Sequence, residues 1–220
     1  PDGNKRQGKV RIDGADLRSW DMEKLGPYVG YLPQDVELFS GTIAENIGRM
    51  GKVEPSKVLR AAQMAGVHNL VLHLPKGYDT QIGEHGAMLS GGQRQRIGLA
   101  RALYGMPKVV ILDEPNSNLD EEGERSLLQA LLNLKQTNST VVLVTHKPSV
   151  LSIMDNIMVM QDGSIAMMGK RQEVLEKLAA MQQQQQEQNK QNQEKLKLMQ
   201  QEQRQKKEDV RNTEQGFSEV

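Results

Sequence analysis

Two continuous apolar runs, Val109-Val110-Ile111-Leu112 and Val141-Val142-Leu143-Val144, stand out from a largely polar chain, each bounded by polar residues. Runs of this length without alternation predict strands buried on both faces of a parallel sheet. Between them Leu127, Leu128, Leu131 and Leu132, with Glu124 in register, recur at helical spacing, so the region predicts a strand, helix, strand unit. Val29 to Gln34 predicts a shorter strand ending at a polar residue, within a first stretch, 1 to 34, whose pattern is β-rich. The period then changes. Thr42 and Glu45 form a capping-box signature ahead of Ile43, Ala44 and Ile47. Pro55 opens a second helical stretch that Gly66 can end, and helical spacing persists to about Pro107.

Ile157 to Met160, the turn pair Asp162-Gly163, and Ser164 to Met167 predict a hairpin. Past Glu173 a helix is expected with Val174, Leu175, Leu178 and Met181 on one side. It runs into a Gln-rich segment, Gln182 to Gln205, too poor in apolar residues for a core of its own. A fraying helix or a solvated, disordered tail is the expectation there.

Composition narrows the function. Aromatics make up only 3% of the 220 residues, so the core must rest on aliphatic side chains and the 12 Met. Net charge is zero, which removes the electrostatic reason to expect nucleic acid as partner. No apolar run approaches the roughly 20 residues that span a bilayer, and no signal peptide is visible, so any membrane anchor must come from another segment or subunit. The chain lacks Cys, which excludes disulfides and Cys-ligated metals. It also lacks an initiating Met, and the expectation is that it starts inside a longer protein.

Gly3, four residues, then Gly8-Lys9 nearly has the spacing of a phosphate-binding loop. Such a loop needs a helix after it and a Ser or Thr after the Lys to reach Mg²⁺. Here Val10 replaces the hydroxyl residue, and Val10-Arg11-Ile12 runs as a strand into the turn pair Asp13-Gly14. A charged hairpin is expected instead.

The strongest chemical signal is Leu89-Ser90-Gly91-Gly92-Gln93, followed by Arg94-Gln95-Arg96 and the helical run Ile97 to Leu103. Ser90 is a suitable N-cap, and Gly91 and Gly92 leave N–H groups uncovered at a positive helix end that favours anions. On the triplet alone a capped helix after a flexible loop is the leading reading, and a second motif some twenty residues on overturns it. Further on, the run at 109–112 ends in Asp113-Glu114-Pro115. Ligands sit at the C-terminal edge of strands in open α/β sheets. An Asp there can hold Mg²⁺ through water while the adjacent Glu polarises a nucleophilic water. The strand at 141–145 delivers His146 to the same edge, although a single His is more often structural.

Taken in order, LSGGQ, the apolar strand with Asp113-Glu114, Ser117-Asn118-Leu119-Asp120, and His146 resemble the nucleotide-binding domain of ATP-binding cassette (ABC) proteins over residues 1 to about 178. The resemblance implies an α/β fold: an ABC-type P-loop NTPase domain with a parallel RecA-like sheet, an N-terminal antiparallel β piece and an inserted helical subdomain, truncated at its N-terminus. The implied divisions are 1–39 (β-rich part and Q-loop), 40–107 (helical subdomain with the signature) and 108–178 (Walker B to switch histidine), with 179–220 as tail. ATP and Mg²⁺ are the implied ligands. Gln34 would be the Q-loop residue near Mg²⁺ and the attacking water. Ser90, Gly91, Gly92 and Gln93 would be the signature, Asp113 and Glu114 the Walker B acid and general base, Asp120 the D-loop acid, and His146 the switch histidine. In the family a hairpin like the one at Pro1 to Gly14 follows the P-loop, so the P-loop is expected upstream of residue 1.

Tyr78 to Gly86 is similar to the exporter-type loop that touches the transmembrane domain, with His85 where the common form has Arg. Tyr31 to Phe39 and Asp113 to Asp120, with Asn116 and Asn118 as the discriminating letters, resemble the ATPases of bacterial type I protein secretion. That likeness implies a head-to-tail homodimer, a transmembrane domain of the same exporter, a periplasmic adaptor and an outer-membrane channel, with the domain on the cytoplasmic face of the inner membrane. Two other classes remain open from the sequence: an ATP-incompetent fragment or interaction module, and a non-transport ABC ATPase.

Overall fold

The computed structural model describes residues 8–190 and residue 193. Gly3 and almost all of the tail beyond 190 lie outside the described residues, and with them the expectations placed there. The chain forms two units, Pro1–Ile153 and Met154–Val220.

The first unit begins with a hairpin of two short strands, β1 (Arg11–Ile12) and β2 (Ala15–Asp16), turned by Asp13 and Gly14 at φ of 50° and 82°. Both turn residues are left-handed, which suits the right-handed twist of a two-residue hairpin. Gly8 and Lys9 thus lead into a strand, not a helix. The stretch to Gln34 is less β-rich than its pattern predicts. Asp21 caps a short helix, α1 (Met22–Leu25), by accepting the Glu23 N–H, and the chain re-enters extended conformation only at β3 (Val29–Leu32).

Helices α2 (Ile43–Ile47), α3 (Pro55–Met64), α4 (His68–Leu72) and α5 (Gly91–Leu103) follow, as the helical spacing predicts. The Thr42–Glu45 box closes in both directions: the Glu45 N–H donates to Thr42 Oγ1 at 3.1 Å and the Thr42 N–H to Glu45 Oε2 at 2.7 Å. Pro55 stands at the start of α3, and Gly66 follows its end at φ 65°. Strand β4 (Val109–Asp113), helix α6 (Glu121–Gln136) and strand β5 (Thr140–Val144) give the expected strand, helix, strand unit.

β3, β4 and β5 form one parallel sheet with β4 in the centre. Leu32, Val110 and Leu112 share one face and are fully buried. Gly30 on that face permits close approach of α5: a Cβ there would overlap the Ala102 carbonyl. The other face is a different matter. Tyr31, Val142 and Val144 are 55%, 49% and 52% exposed, so the run at 141–144 is not buried on both faces as its pattern predicts. β5 pairs with β4 alone among the described strands and stands at the sheet edge, where an apolar run is indistinguishable in sequence from a central one.

The second unit is the expected hairpin, β6 (Asn156–Gln161) and β7 (Ser164–Lys170), turned by Asp162 and Gly163 at φ of 49° and 75°, with a register shift at Val159/Met160. Residues 171–190 are helical, and Val174 is buried. Met158 faces Met168 and Met160 faces Ile165 across the hairpin, and all four are exposed. No helix among the described residues is long and apolar enough to cross a membrane.

Candidate functional site

Because β3, β4 and β5 are parallel, their C-terminal ends lie along one edge, and that edge collects Gln34, Asp113, Glu114 and His146. Asp113 ends β4 opposite Val144, half-buried, in register with the open face of the sheet. Glu114 leaves the strand at φ 45°, a conformation that a non-Gly residue adopts only when its surroundings hold it. Three contacts do so. Its N–H donates to the Val144 carbonyl at 2.9 Å, while its carbonyl accepts from the Ser117 N–H at 3.1 Å and, more loosely, from Gln95 Nε2 at 3.5 Å.

The turn aims the Glu114 carboxylate at His146, with Oε1 to Nδ1 at 3.2 Å. The Glu114 side chain is 23% exposed and the His146 side chain 73%, so the pair stands at the surface with the acid on its inner side.

The predicted helix at the signature is α5, and Ser90 is its N-cap. The Gln93 N–H donates to Ser90 Oγ at 3.2 Å, and the Ser90 N–H donates back to Gln93 Oε1 at 2.9 Å. This box satisfies the third helical N–H and leaves those of Gly91 and Gly92 directed out of the helix end. The Gln93 amide is turned onto its own cap. Gly92 is required for space: a Cβ there would stand 2.8 Å from the Asn118 carbonyl oxygen. The loop carrying Asn118 therefore lies directly on the start of α5.

Asp120 is exposed and caps α6, its Oδ1 accepting the Gly123 N–H at 2.8 Å, while Oδ2 stands 3.9 Å from Arg96 Nη2. Arg96 is otherwise buried, and its Nε has no partner. A cleft of about 140 Å³ joins Gln34 to this region, lined also by Gly91, Gln95 and Asn118. The structure thus brings Gln34 next to the signature helix, and separately brings Glu114 to His146.

Several residues here received no role from the sequence. Lys147 Nζ donates to Glu124 Oε1 at 2.6 Å and to the Asn116 carbonyl at 3.0 Å. Thr145 Oγ1 reaches Asn116 Oδ1 at 3.4 Å and accepts the Lys147 N–H at 3.0 Å. Gln95 is buried and bonded to the Glu114 backbone. A Lys immediately after a His at a strand end was the available signal, and spacing alone does not reveal its distant partners.

On another surface, buried Asn46 holds the loop at Phe39 by accepting its N–H and donating to its carbonyl, both at 2.9 Å. The Phe39 ring is 56% exposed and lies under the Arg101 guanidinium at 5.6 Å. With Glu37, Ser40, Glu84 and His85 it lines a cleft of about 370 Å³. His85, at φ 51°, lies within the loop singled out by sequence.

A model of the family described as "ABC transporter" matches residues 3–117, which includes α5, β4, Asp113 and Glu114. The chain belongs to the ABC transporter family. Members of this family bind ATP. The likeness is to the nucleotide-binding domain of exporter-type members. Over 178 residues the chain is 50% identical to the Type I secretion system ATP-binding protein PrsD of Rhizobium meliloti (strain 1021), covering 80% of this chain and 31% of the relative. It is 40% identical over 178 residues to the ATP-dependent lipid A-core flippase of Vibrio vulnificus (strain CMCP6), covering 80% of this chain and 30% of the relative. Among solved structures, a bacterial Atm1-family ABC exporter with ATP bound superposes with a TM-score of 0.71 at 32% identity, over 78% of this chain and 30% of that one. The chain therefore spans about a third of the length of these ABC relatives.

Proposed function

We propose that this chain is the ATP-hydrolysing portion of an ABC exporter that powers type I protein secretion across a bacterial inner membrane. The observation that carries the reading is the 3.2 Å pairing of Glu114 with His146 at the C-terminal sheet edge, beside a signature helix whose first N–H groups are directed outward. Identity of 50% to a type I secretion ATP-binding protein supports the secretion class.

In this reading ATP is the substrate. Gly91 and Gly92 offer N–H donors and the positive end of a 13-residue helix to its γ-phosphate, and the Ser90–Gln93 box holds that end rigid. Glu114 accepts the proton of the attacking water, Gln34 orients that water, and His146 holds the Glu114 carboxylate in place while offering its imidazole to a phosphate oxygen. Asp120 caps α6 beside the signature and extends the same surface toward the nucleotide.

Among the described residues no group of three or more carboxylate and imidazole side chains could hold a metal unaided. A single strand-end carboxylate fits Mg²⁺, which takes one or two protein carboxylates and completes its shell with water and substrate phosphates. Asp113 is the residue that would hold it, and the ion would neutralise phosphate charge.

In this reading the exporter works as a head-to-tail homodimer in which the signature of one copy faces the nucleotide of the other. The cleft at Phe39 and His85 suits contact with the exporter's transmembrane domain, and in this reading the domain works on the cytoplasmic face of the membrane. A periplasmic adaptor and an outer-membrane channel complete the proposed machine, and nucleic acid has no part in it. In the full-length protein, Glu114→Gln is expected to lower steady-state ATP turnover at least about a hundredfold while nucleotide still binds. Turnover at the wild-type rate refutes the assignment.

A further inference from the structure

The Glu114–His146 contact joins two loops, 114–120 after β4 and 145–147 after β5, and a single contact to a largely exposed imidazole cannot fix their separation. The Glu114 N–H bond to the Val144 carbonyl fixes where the two loops begin, and their outer parts must be held in register by other contacts. Resting on the functional reading above, we propose that Lys147 and Glu124 form a clasp that positions Glu114 and His146 for hydrolysis.

Lys147 directly follows His146, and its ammonium is shared between Glu124 Oε1 at 2.6 Å and the Asn116 carbonyl at 3.0 Å. Asn116 lies two residues after Glu114 and is 3% exposed, so the ammonium bonds a segment with little freedom. The Thr145 hydroxyl adds a second strut between the loops, receiving the Lys147 N–H at 3.0 Å and reaching Asn116 Oδ1 at 3.4 Å. Glu124 sits in the first turns of α6, a 16-residue helix capped by Asp120, and this anchors the clasp to a rigid element.

The charge of Glu124 is the device's centre. It orients Lys147 by a charge-assisted bond on a side chain that is only 34% exposed, where such bonds are stronger than in open water. With the ammonium held there, its second bond draws the 116 carbonyl toward the loop that bears His146. The Asn116 amide Nδ2 is buried without a partner. The loop keeps this unsatisfied donor while its carbonyls at 114 and 116 are engaged, the first by Ser117 within the loop and the second by Lys147. Lys147 bonds Glu124 and Asn116, not the Glu114 carboxylate or the His146 ring, so Lys147 and Glu124 are positioning residues acting through the two loops.

The test uses the full-length exporter with Lys147→Met, Glu124→Gln, their combination, and Lys147→Arg. Steady-state kcat and KM for MgATP, equilibrium binding of a fluorescent ATP analogue, and thermal unfolding are measured together. The clasp predicts that Lys147→Met and Glu124→Gln each lower kcat about ten- to a hundredfold, with KM and analogue affinity within about twofold of wild type. The combination is expected to be no worse than the poorer single variant, because both remove one device. Lys147→Arg should recover most of the turnover. Glu124→Gln removes charge at nearly constant shape and serves if Lys147→Met does not fold. Wild-type kcat in Glu124→Gln, or a loss confined to KM, affinity or unfolding temperature, overturns the clasp. Glu114→Gln run alongside separates the two claims: if it keeps wild-type turnover the functional reading falls and the clasp with it, whereas if it is inactive while Glu124→Gln is fully active only the clasp falls.

Discussion

Gly91 and Gly92 are adjacent in the signature, both have ordinary helical backbone, and both invite replacement by Ala, yet the structure predicts opposite outcomes. Gly→Ala in a compatible backbone stabilises by about 0.4–1 kcal/mol, chiefly by reducing the freedom of the unfolded chain. At Gly91 nothing opposes that gain, because a Cβ would meet Asn118 Cβ at 3.8 Å, an ordinary contact. At Gly92 the same atom would stand 2.8 Å from the Asn118 carbonyl oxygen, and a backbone oxygen cannot rotate aside. Relief requires moving either the end of α5 or the 117–119 loop, and forced shifts of this kind cost about 1–3 kcal/mol. Gly92→Ala is therefore expected to be less stable than Gly91→Ala by about 1–3 kcal/mol. In urea, with a slope of about 2 kcal/mol per M for a chain of this size, the two midpoints should differ by about 1 M. Equal midpoints would refute the close approach of the two segments.

Two further outcomes follow from contacts elsewhere in the first unit. Arg49 donates to the carbonyls of Arg101 at 3.1 Å, Gly26 at 2.7 Å and Ala102 at 3.2 Å, tying the end of α5 to the turn before β3. Burial lowers the affinity of this guanidinium for its proton without neutralising it, so Arg49→Met, which leaves three carbonyls without their charged donor, should lower stability by about 2–4 kcal/mol in urea unfolding. The Glu45 carboxyl is held below its usual pKa of 4.5, first by the Thr42 backbone N–H and then by the Thr42 hydroxyl. A depressed folded-state pKa contributes stability above the unfolded value and loses it as pH falls through the folded one. Glu45→Gln should therefore lose less stability than wild type between pH 5 and about pH 3, read as the change in urea midpoint.

Local patterns made much of this site legible. Ser90 as an N-cap, Thr42 with Glu45, and the Asp-Gly pairs at 13–14 and 162–163 each work within three residues, and each takes its expected geometry. The strand that ends in Asp113-Glu114 was readable for the same reason. What the sequence did not carry is position within the sheet and contact at a distance. Val142 and Val144 have the composition of a central strand and stand exposed at an edge. The Glu114 backbone turns left-handed at φ 45° although Glu has no preference for that region. Lys147 bonds residues 23 and 31 positions away, and only the parallel pairing of β4 with β5 brings them together.

The same pairing bears on how the two halves of the site communicate. Gly92, Gln95 and Arg96 are spaced i, i+3 and i+4, so they lie on one face of α5. Each meets the loop after β4: Gly92 by close approach to the Asn118 carbonyl, Gln95 by its 3.5 Å bond to the Glu114 carbonyl, Arg96 by its 3.9 Å approach to Asp120. One helical face therefore touches the loop at 114, 118 and 120. A Cβ at Gly92 would stand 2.8 Å from the Asn118 carbonyl oxygen, so α5 has little room to move toward that loop without displacing it. The bond at Gln95 is the longest of the hydrogen bonds holding the Glu114 carbonyl and has room to shorten. On the proposed function, an anion held at the Gly91 and Gly92 N–H groups would sit within one turn of helix of Gln95, the residue that bonds the Glu114 carbonyl.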